Sequence, residues 1–349
     1  MQPQLVADRS GSVHAVWLSG SPSASDVQYA RLNPDGSSLA SAPIRVNSQP
    51  GSAIGIGTIR GPQLALDAAG TAHVVWNGSG TAQPRPAKSS PLLYTRRPAG
   101  ADAFEAQRNL IQSTTDLDGG GSIAVDSQSR IHVFWHAGDG KETTREDRRR
   151  VFTVTSTDGG KHFDSERPID AGDGTGVCGC CGLRAGTDSR GRVFVVYRGA
   201  RELMHRGTYV LESDASGTRF QGRLLQDWVT GSCPMSLPAL FDGTSGMNLA
   251  WETEGKIFGR IGSKAPTDAP QRLVDGPRAR HPSAATNRRG ETLLVWTEDT
   301  GWNRGGKLGW RVFAADGRPT DQAGVREGLP VWTFPGVAAL ADGSFVIAY

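Results

Sequence analysis

The sequence predicts an all-β chain folded as a six-bladed propeller of four-stranded antiparallel blades. Three observations carry this. A strand–turn–strand unit recurs along the whole chain, its closing aromatic residue returns at near-regular spacing, and no stretch shows a convincing amphipathic helical pattern. Seven blades is the alternative count.

The unit begins with an apolar strand, an Asp-x-x-Gly-type turn and a second apolar strand that ends in an aromatic residue. It is clearest in Gln4 to Trp17, Gln63 to Trp76 and Ser122 to Trp135, and it returns ending at Tyr197, Trp251, Trp296 and Tyr349. The closing aromatics lie 45 to 62 residues apart, the length of one four-stranded blade with its loops. Short β-branched runs with period-two alternation support strands, and Asp or Gly at each reversal supports hairpins. The units run over 3–58, 59–116, 117–175, 176–230, 231–277 and 278–328, with closing strands over 329–349, all in one propeller domain. Ring closure commonly uses a blade assembled from both chain ends, which removes exposed sheet edges.

Composition agrees. With 46 Gly, 20 Pro and 9 Trp, the chain suits many short strands joined by tight turns. A formal net charge of +3 is too small for a field directed at nucleic acid or an anionic membrane. No apolar run reaches the roughly 18–20 residues of a membrane span. The dense charge run Arg145 to Arg150 mixes signs between two strand-like segments and reads as a solvated hairpin loop. Four Cys in a Gly- and Trp-rich β chain favour an exported protein, secreted or periplasmic, with this chain a mature or trimmed form.

In the third unit Ser156-Thr-Asp-Gly-Gly-Lys-His-Phe163 resembles the Asp-box (BNR-repeat) signature of the sialidase superfamily. Physically such a box is a turn between third and fourth strands: Asp158 accepts backbone N–H groups, Gly160 permits positive φ, and Phe163 caps the apolar layer. Ser213 to Phe220 and Asn33 to Ser37 carry remnants of it. The resemblance implies a sialidase-like propeller and, more specifically, a glycoside hydrolase acting on acidic sugars. Thr58-Ile-Arg60-Gly-Pro62 looks like the family's arginine motif, which makes Arg60 a candidate carboxylate clamp with Arg198 and Arg280 as its partners. Tyr349 with Glu252 then matches the nucleophilic pair, while the family's acid Asp has no match.

Two antiparallel strands return the chain to its starting side, so the loop entering each first strand and the loop leaving each second strand share a face. Arg60, Gly119 to Ser122, Cys178 to Gly182, Cys233 to Ser236 and Arg280 to Ser283 enter first strands. Asn77, His136, Arg198, Glu252 and Glu298 follow second strands, with Trp302 shortly after. The chemically distinctive residues therefore converge on one face near the axis, and the opposite Asp/Gly turns look plain.

Cys178, Cys180 and Cys181 lie within four positions, and Cys233 opens the next unit. Two relaxed disulfides are hard to draw from these four, because a bridge prefers a Cα separation of about 5.5–6 Å. One bridge from Cys233 to the cluster is easy and leaves two thiols. Three readings stay open: a transition-metal site of Cys178, Cys180, Cys181 and Cys233 with His136 and His281, a structural disulfide with spare thiols, or a redox-catalytic thiol. The metal reading favours copper, alternatively zinc, with Met235 a thioether donor for Cu(I). His14, His73 and His132 recur inside second strands and read as packed. Glu252 and Glu298 read as partners of the face arginines, Trp302 as a stacking platform or loop anchor, and Asn77-Gly-Ser79 as a glycosylation sequon. The face then receives a small polar or acidic ligand such as a glycan. A non-catalytic glycan- or protein-binding propeller is the remaining alternative.

Overall fold

The second strand of each unit settles the architecture, because it is too apolar to face water on either side. Ala72–Asn77 and Val193–Ala200 are buried at every position, so they read as continuous apolar runs where a half-exposed strand would alternate. Such strands must sit between two neighbouring sheets. The computed structural model, which describes all residues except 88, 140–144, 203, 245, 263–268 and 277, shows six four-stranded antiparallel blades arranged around an axis.

Blade one comprises Gln4–Ala7, Val13–Ser21, Ala24–Arg31 and Ile44–Arg45, and blade two Gln63–Leu66, Ala72–Asn77, Leu92–Arg97 and Arg108–Asn109. Blade three comprises Ser122–Val125, Ile131–Ala137, Arg150–Ser156 and Arg167–Ile169. Blade four has Arg184–Thr187, Val193–Ala200, Thr208–Ser213 and Phe220–Gln226, and the short strand Gly176–Val177 also pairs with the end of its second strand. Blade five comprises Ala239–Gly243, Gly246–Thr253, Lys256–Arg260 and Gln271–Val274. Blade six comprises Ala279–Thr286, Thr292–Glu298, Gly306–Phe313 and Pro319–Leu329. The only helical turn among the described residues is the 3₁₀ turn Glu146–Arg148. Among the described residues no helix is long and apolar enough to cross a membrane.

Closure differs from the expected shared blade. All four strands of blade one come from the N-terminal unit, and the C-terminal strands Gly336–Ala339 and Phe345–Ala348 pair only with each other. This two-stranded ribbon packs between the innermost strands of blades six and one and so completes the ring. The fit is apolar: Ala338 and Leu340 join Leu5, Val13 and Ala15 in one buried cluster, and Val337 joins Leu293 and Val295 in another.

Trp76, Trp135, Trp251 and Tyr197, four of the recurring aromatics, are fully buried between blades. Burying about 150–250 Å² per ring is worth roughly 4–6 kcal/mol of transfer free energy each. The turns are fixed by one repeated device. Asp8, Asp67, Asp126 and Asp188 each accept two backbone N–H bonds of their own turn at 2.8–3.0 Å. In blades one to three the second carboxylate oxygen faces the Nε2 of His14, His73 or His132, at 3.4, 3.4 and 3.1 Å. The Nδ1 of each ring then meets Tyr29, Tyr94 or Thr155 on the third strand. These histidines are packed, as their place inside the strands suggested.

The Asp-box turn behaves as its chemistry requires. Asp158 Oδ1 accepts the N–H groups of Lys161 and His162 at 2.9 Å, Gly160 has φ of 81°, and Phe163 meets Tyr94 edge-on at 4.9 Å. Blade two clamps this turn. Arg96 and Arg108 donate to the carbonyls of Gly159, Gly160 and Lys161, and the Arg108 guanidinium lies over the Tyr94 ring.

Candidate functional site

The loop between Gly176–Val177 and Arg184–Thr187 carries Cys178, Cys180 and Cys181 and is anchored to three blades. Cys178 N–H donates to Arg198 O at 2.9 Å in blade four, and Gly182 N–H to Ser236 O at 3.0 Å at the entrance to blade five. His136, at the end of the second strand of blade three, donates Nε2–H to Cys181 O at 2.8 Å. Gly119 makes that last contact possible, since a Cβ there would lie 2.1 Å from Cys181 O and 2.2 Å from His136 Nε2.

Cys180 and Cys233 form a disulfide, which leaves Cys178 and Cys181 as free, buried thiols. The four cysteines are thus not one thiolate set: two are oxidised together. The sulfurs nonetheless converge. Cys178 Sγ lies 3.2 Å from Cys181 Sγ and 3.5 Å from Cys180 Sγ, and the ligand atoms of Cys178, Cys180 and Cys181 all lie within 4.8 Å of one another.

The two free thiols titrate as a pair. Burial opposes ionisation of Cys181, yet the hydrogen bond from Cys178, the nearby Arg198 charge and bonds from Ser236 pull it down to about 6. Cys178, which donates that bond and is buried, is pushed well above the usual thiol range.

Neither histidine offers a free nitrogen to the sulfurs. Burial, reinforced by Arg149, drives His136 down to about 3, and its Nδ1 accepts from Arg149 at 3.1 Å. His281 is pushed down to about 4 by burial. Its Nε2 lies 3.1 Å from Met235 O and 3.0 Å from Thr58 Oγ1, and its Nδ1 lies 3.0 Å from Thr297 Oγ1. The Cys/His ligand set therefore reduces to sulfur.

The charge run taken for a solvated loop belongs to this site. Arg149 is only 5% exposed and donates to Asp116 O at 2.5 Å as well as to His136. Glu146 accepts the Gly179 N–H at 2.8 Å and pairs with Arg206 at 2.5 Å. Glu146 and Arg149 of the run thus reach partners elsewhere in the fold, whereas Arg145 and Asp147 pair with each other at 2.8 Å. Cys178 and Cys181, the two free thiols, also stand at C-x-x-C spacing in the sequence.

The arginines are largely committed to the protein. Arg60 is held by the Asp118 carboxylate, Asp118 O and Ile56 O. Arg198 donates to Ser236 Oγ at 3.1 Å, Arg206 O at 2.8 Å and Glu252 O at 2.5 Å, and it stacks on Trp228. Arg280 approaches Glu252 at 3.7 Å. Glu252 is buried with neither carboxyl oxygen hydrogen-bonded, and burial raises it to about 7 against the pull of Arg280 and Arg198. Tyr349 lies elsewhere, beneath Arg326 of the outermost strand of blade six. Glu298 accepts from Trp296 Nε1 at 2.7 Å, so its partner is an indole where an arginine was expected. Asn77 of the sequon is buried and donates to Gly119 O at 3.0 Å.

Above Arg280 and His281, Trp302 is 50% exposed and meets Trp332 edge-on at 6.2 Å, lining a shallow cleft that Met235 also enters. A far larger cavity, about 830 Å³, opens on the opposite face, which looked plain in the sequence. Asp8, Asp67, Asp126 and Asp188 line it, but each spends one oxygen on its own turn.

No family model matches the chain, and no curated protein does either. Solved structures do. The Hadza microbial sialidase Hz136 is similar with a TM-score of 0.56 at 11% identity, over 95% of this chain and 71% of that one. A leech intramolecular trans-sialidase gives 0.55 at 10% identity over 96% and 79%. A Penicillium chrysogenum α-L-arabinanase gives 0.57 at 15% identity over 90% and 93%. At such identities the likeness shows the fold, a sialidase-like six-bladed propeller.

Proposed function

We propose that the cysteine loop is a soft-metal site, taking Cu(I) or alternatively Zn(II), on the axial face of an exported propeller. The observation that carries this reading is the convergence of three sulfurs within 4.8 Å in a loop held by three blades. Thiolate donors suit Cu(I) and Zn(II), and a cuprous ion held by two or three thiolates leaves the group anionic. Arg149, Arg198 and Arg206 surround the loop and offset that charge. Cys178 and Cys181 are the ligands available in the oxidised protein, and Cys180 joins them when its bridge to Cys233 is open. The disulfide suits an oxidising compartment, which supports export.

The test is a Cu(I) titration of reduced, anaerobic protein against a competing chromophoric chelator. One equivalent is expected, lost in Cys178→Ser and in Cys181→Ser. Arg198→Ala, which removes a positive charge beside Cys181 together with the bonds to Ser236 Oγ, Arg206 O and Glu252 O, is expected to weaken binding about 10–100-fold. Absence of stoichiometric binding by the reduced wild type overturns the reading.

A second reading, binding of a small polar or acidic glycan at the same face, is favoured by the exposed Trp302–Trp332 pair beside Arg280. The similar solved structures include sialidases and an arabinanase by name. Hydrolysis fits less well, because Tyr349 and Glu252 share no contact and Arg60 and Arg198 are spent on the protein. Quenching of tryptophan fluorescence by sialyllactose or arabino-oligosaccharides, abolished in Trp302→Ala, is the expected outcome. No saturable change with any of them removes this reading.

A further inference from the structure

The sulfurs form a chain that leads from the protein surface to the buried pair. Cys233 lies exposed in the loop between blades four and five, and its bridge partner Cys180 is half buried. Cys178 Sγ is 3.5 Å from Cys180 Sγ, and Cys181 Sγ is 3.2 Å beyond it. Cys178 thus touches both the disulfide and the second free thiol. Cys178 and Cys181 stand in C-x-x-C register, the spacing of dithiols that close and open readily.

We propose that this cluster performs thiol–disulfide exchange, moving its disulfide between the surface position Cys180–Cys233 and the buried position Cys178–Cys181. In the first step Cys178 Sγ attacks Cys180 Sγ. The Cys178–Cys180 bond forms, the Cys180–Cys233 bond breaks, and the proton from Cys178 ends on the departing Cys233 sulfur. In the second step Cys181 Sγ attacks Cys178 Sγ, the Cys178–Cys181 bond forms, the Cys178–Cys180 bond breaks, and the proton from Cys181 ends on the departing Cys180 sulfur. Two S–H protons and one disulfide change places with no external oxidant or reductant. The product exposes a free thiol at Cys233, the group through which an external thiol or disulfide exchanges with the protein.

A consequence for loading rests on the soft-metal reading above. Internal exchange converts the Cys178–Cys181 pair into a disulfide and closes the site, whereas reduction by an external thiol at Cys233 frees Cys180 and gives three thiolates. The exchange itself does not depend on a metal.

The experiment uses folded, unreduced, metal-free protein incubated with iodoacetamide, then denatured, digested with trypsin and mapped by mass spectrometry. If exchange occurs, alkylation traps Cys233. The peptide spanning residues 162–184 then carries an internal disulfide with one alkylated cysteine, and it separates from the peptide containing Cys233. Cys178→Ser removes the sulfur that attacks Cys180 in the first step, so labelling of Cys233 is expected to slow at least about tenfold. The Cys178→Ala variant, checked for folding by circular dichroism, gives the same result if the sulfur is what matters. Recovery of only the cross-linked Cys180–Cys233 peptides, with Cys233 unlabelled in folded wild type, overturns the proposal. Equal labelling rates in wild type and both variants overturns it too. The Cu(I) titration of fully reduced protein reports the metal reading separately, so either proposal can fail while the other stands.

Discussion

Arg149 and His136 are locked together beneath the cysteine loop: the guanidinium donates to His136 Nδ1 at 3.1 Å and to His136 O at 3.2 Å. That pairing fixes the proton on Nε2, which is the atom that holds Cys181 O. Removing Arg149 leaves the buried His136 Nδ1 without its donor and also takes away the bond to Asp116 O. Arg149→Ala is therefore expected to cost about 2–3 kcal/mol in urea unfolding at pH 7, close to the penalty for orphaning buried acceptors.

The same ring predicts an acid limb in stability. His136 is held neutral, with its folded value near 3 against 6.5 for a free imidazole. A depressed value means the stabilisation is present above pH 6.5 and is lost as pH falls towards 3, since the unfolded chain takes up the proton first. His136→Gln keeps a donor and an acceptor without the titration. Its unfolding midpoint is expected to vary less between pH 6.5 and 4 than that of wild type. An unchanged slope would show that other groups set the limb.

How far the sequence reaches is visible in these residues. The blades were legible because the second strands are mostly apolar and the first turns of blades one to four each carry their own Asp, so local chemistry and fold agree at Asp8, Asp67, Asp126 and Asp188. The ring closure was not, because strands shared between chain ends and a separate two-stranded ribbon have the same local pattern, and only packing of Ala338 and Val337 distinguishes them. The meeting of the cysteines with His136 followed from blade geometry. Their chemistry did not, since the charges of Glu146 and Arg149 look solvated until their partners, Gly179, Arg206 and Asp116, are known. Gly119 is the sharpest example. Its glycine is required by the carbonyl of a residue in another blade, and Gly119→Ala is expected to cost about 1–3 kcal/mol through overpacking and to slow cysteine-loop closure in refolding.

Arg108 tests whether the Asp-box turn holds neighbouring blades together. It donates to two carbonyls of the turn and lies 5.2 Å from the Tyr94 ring centroid and 6.0 Å from that of Phe163. Arg108→Ala is expected to destabilise by about 1–2 kcal/mol, the value of two partly exposed hydrogen bonds and one cation–π contact. Faster hydrogen exchange confined to residues 156–163 and the third strand of blade two would mark the loss as local. A uniform change across the ring would not fit this role.

Glu252 offers the clearest test of the electrostatics around the sulfurs. Its carboxyl is buried without a hydrogen bond, and burial raises it from 4.5 to about 7 although Arg280 sits at 3.7 Å. An acid whose folded value lies above its unfolded value contributes stability fully present below pH 4.5, and that contribution fades as pH rises through 7. Ionised Glu252 is thus a burden at alkaline pH, and at pH 8 its removal is worth up to about 3 kcal/mol. Glu252→Gln is expected to match wild type in guanidinium unfolding at pH 5 and to exceed it by about 1–3 kcal/mol at pH 8. The opposite result, a variant weaker than wild type at both pH values by the same amount, would mean that the carboxylate is ionised throughout and stabilised by Arg280. In that case the field near Cys181 is less positive than the three arginines suggest, and the affinity of the loop for an anionic metal–thiolate group should fall with it.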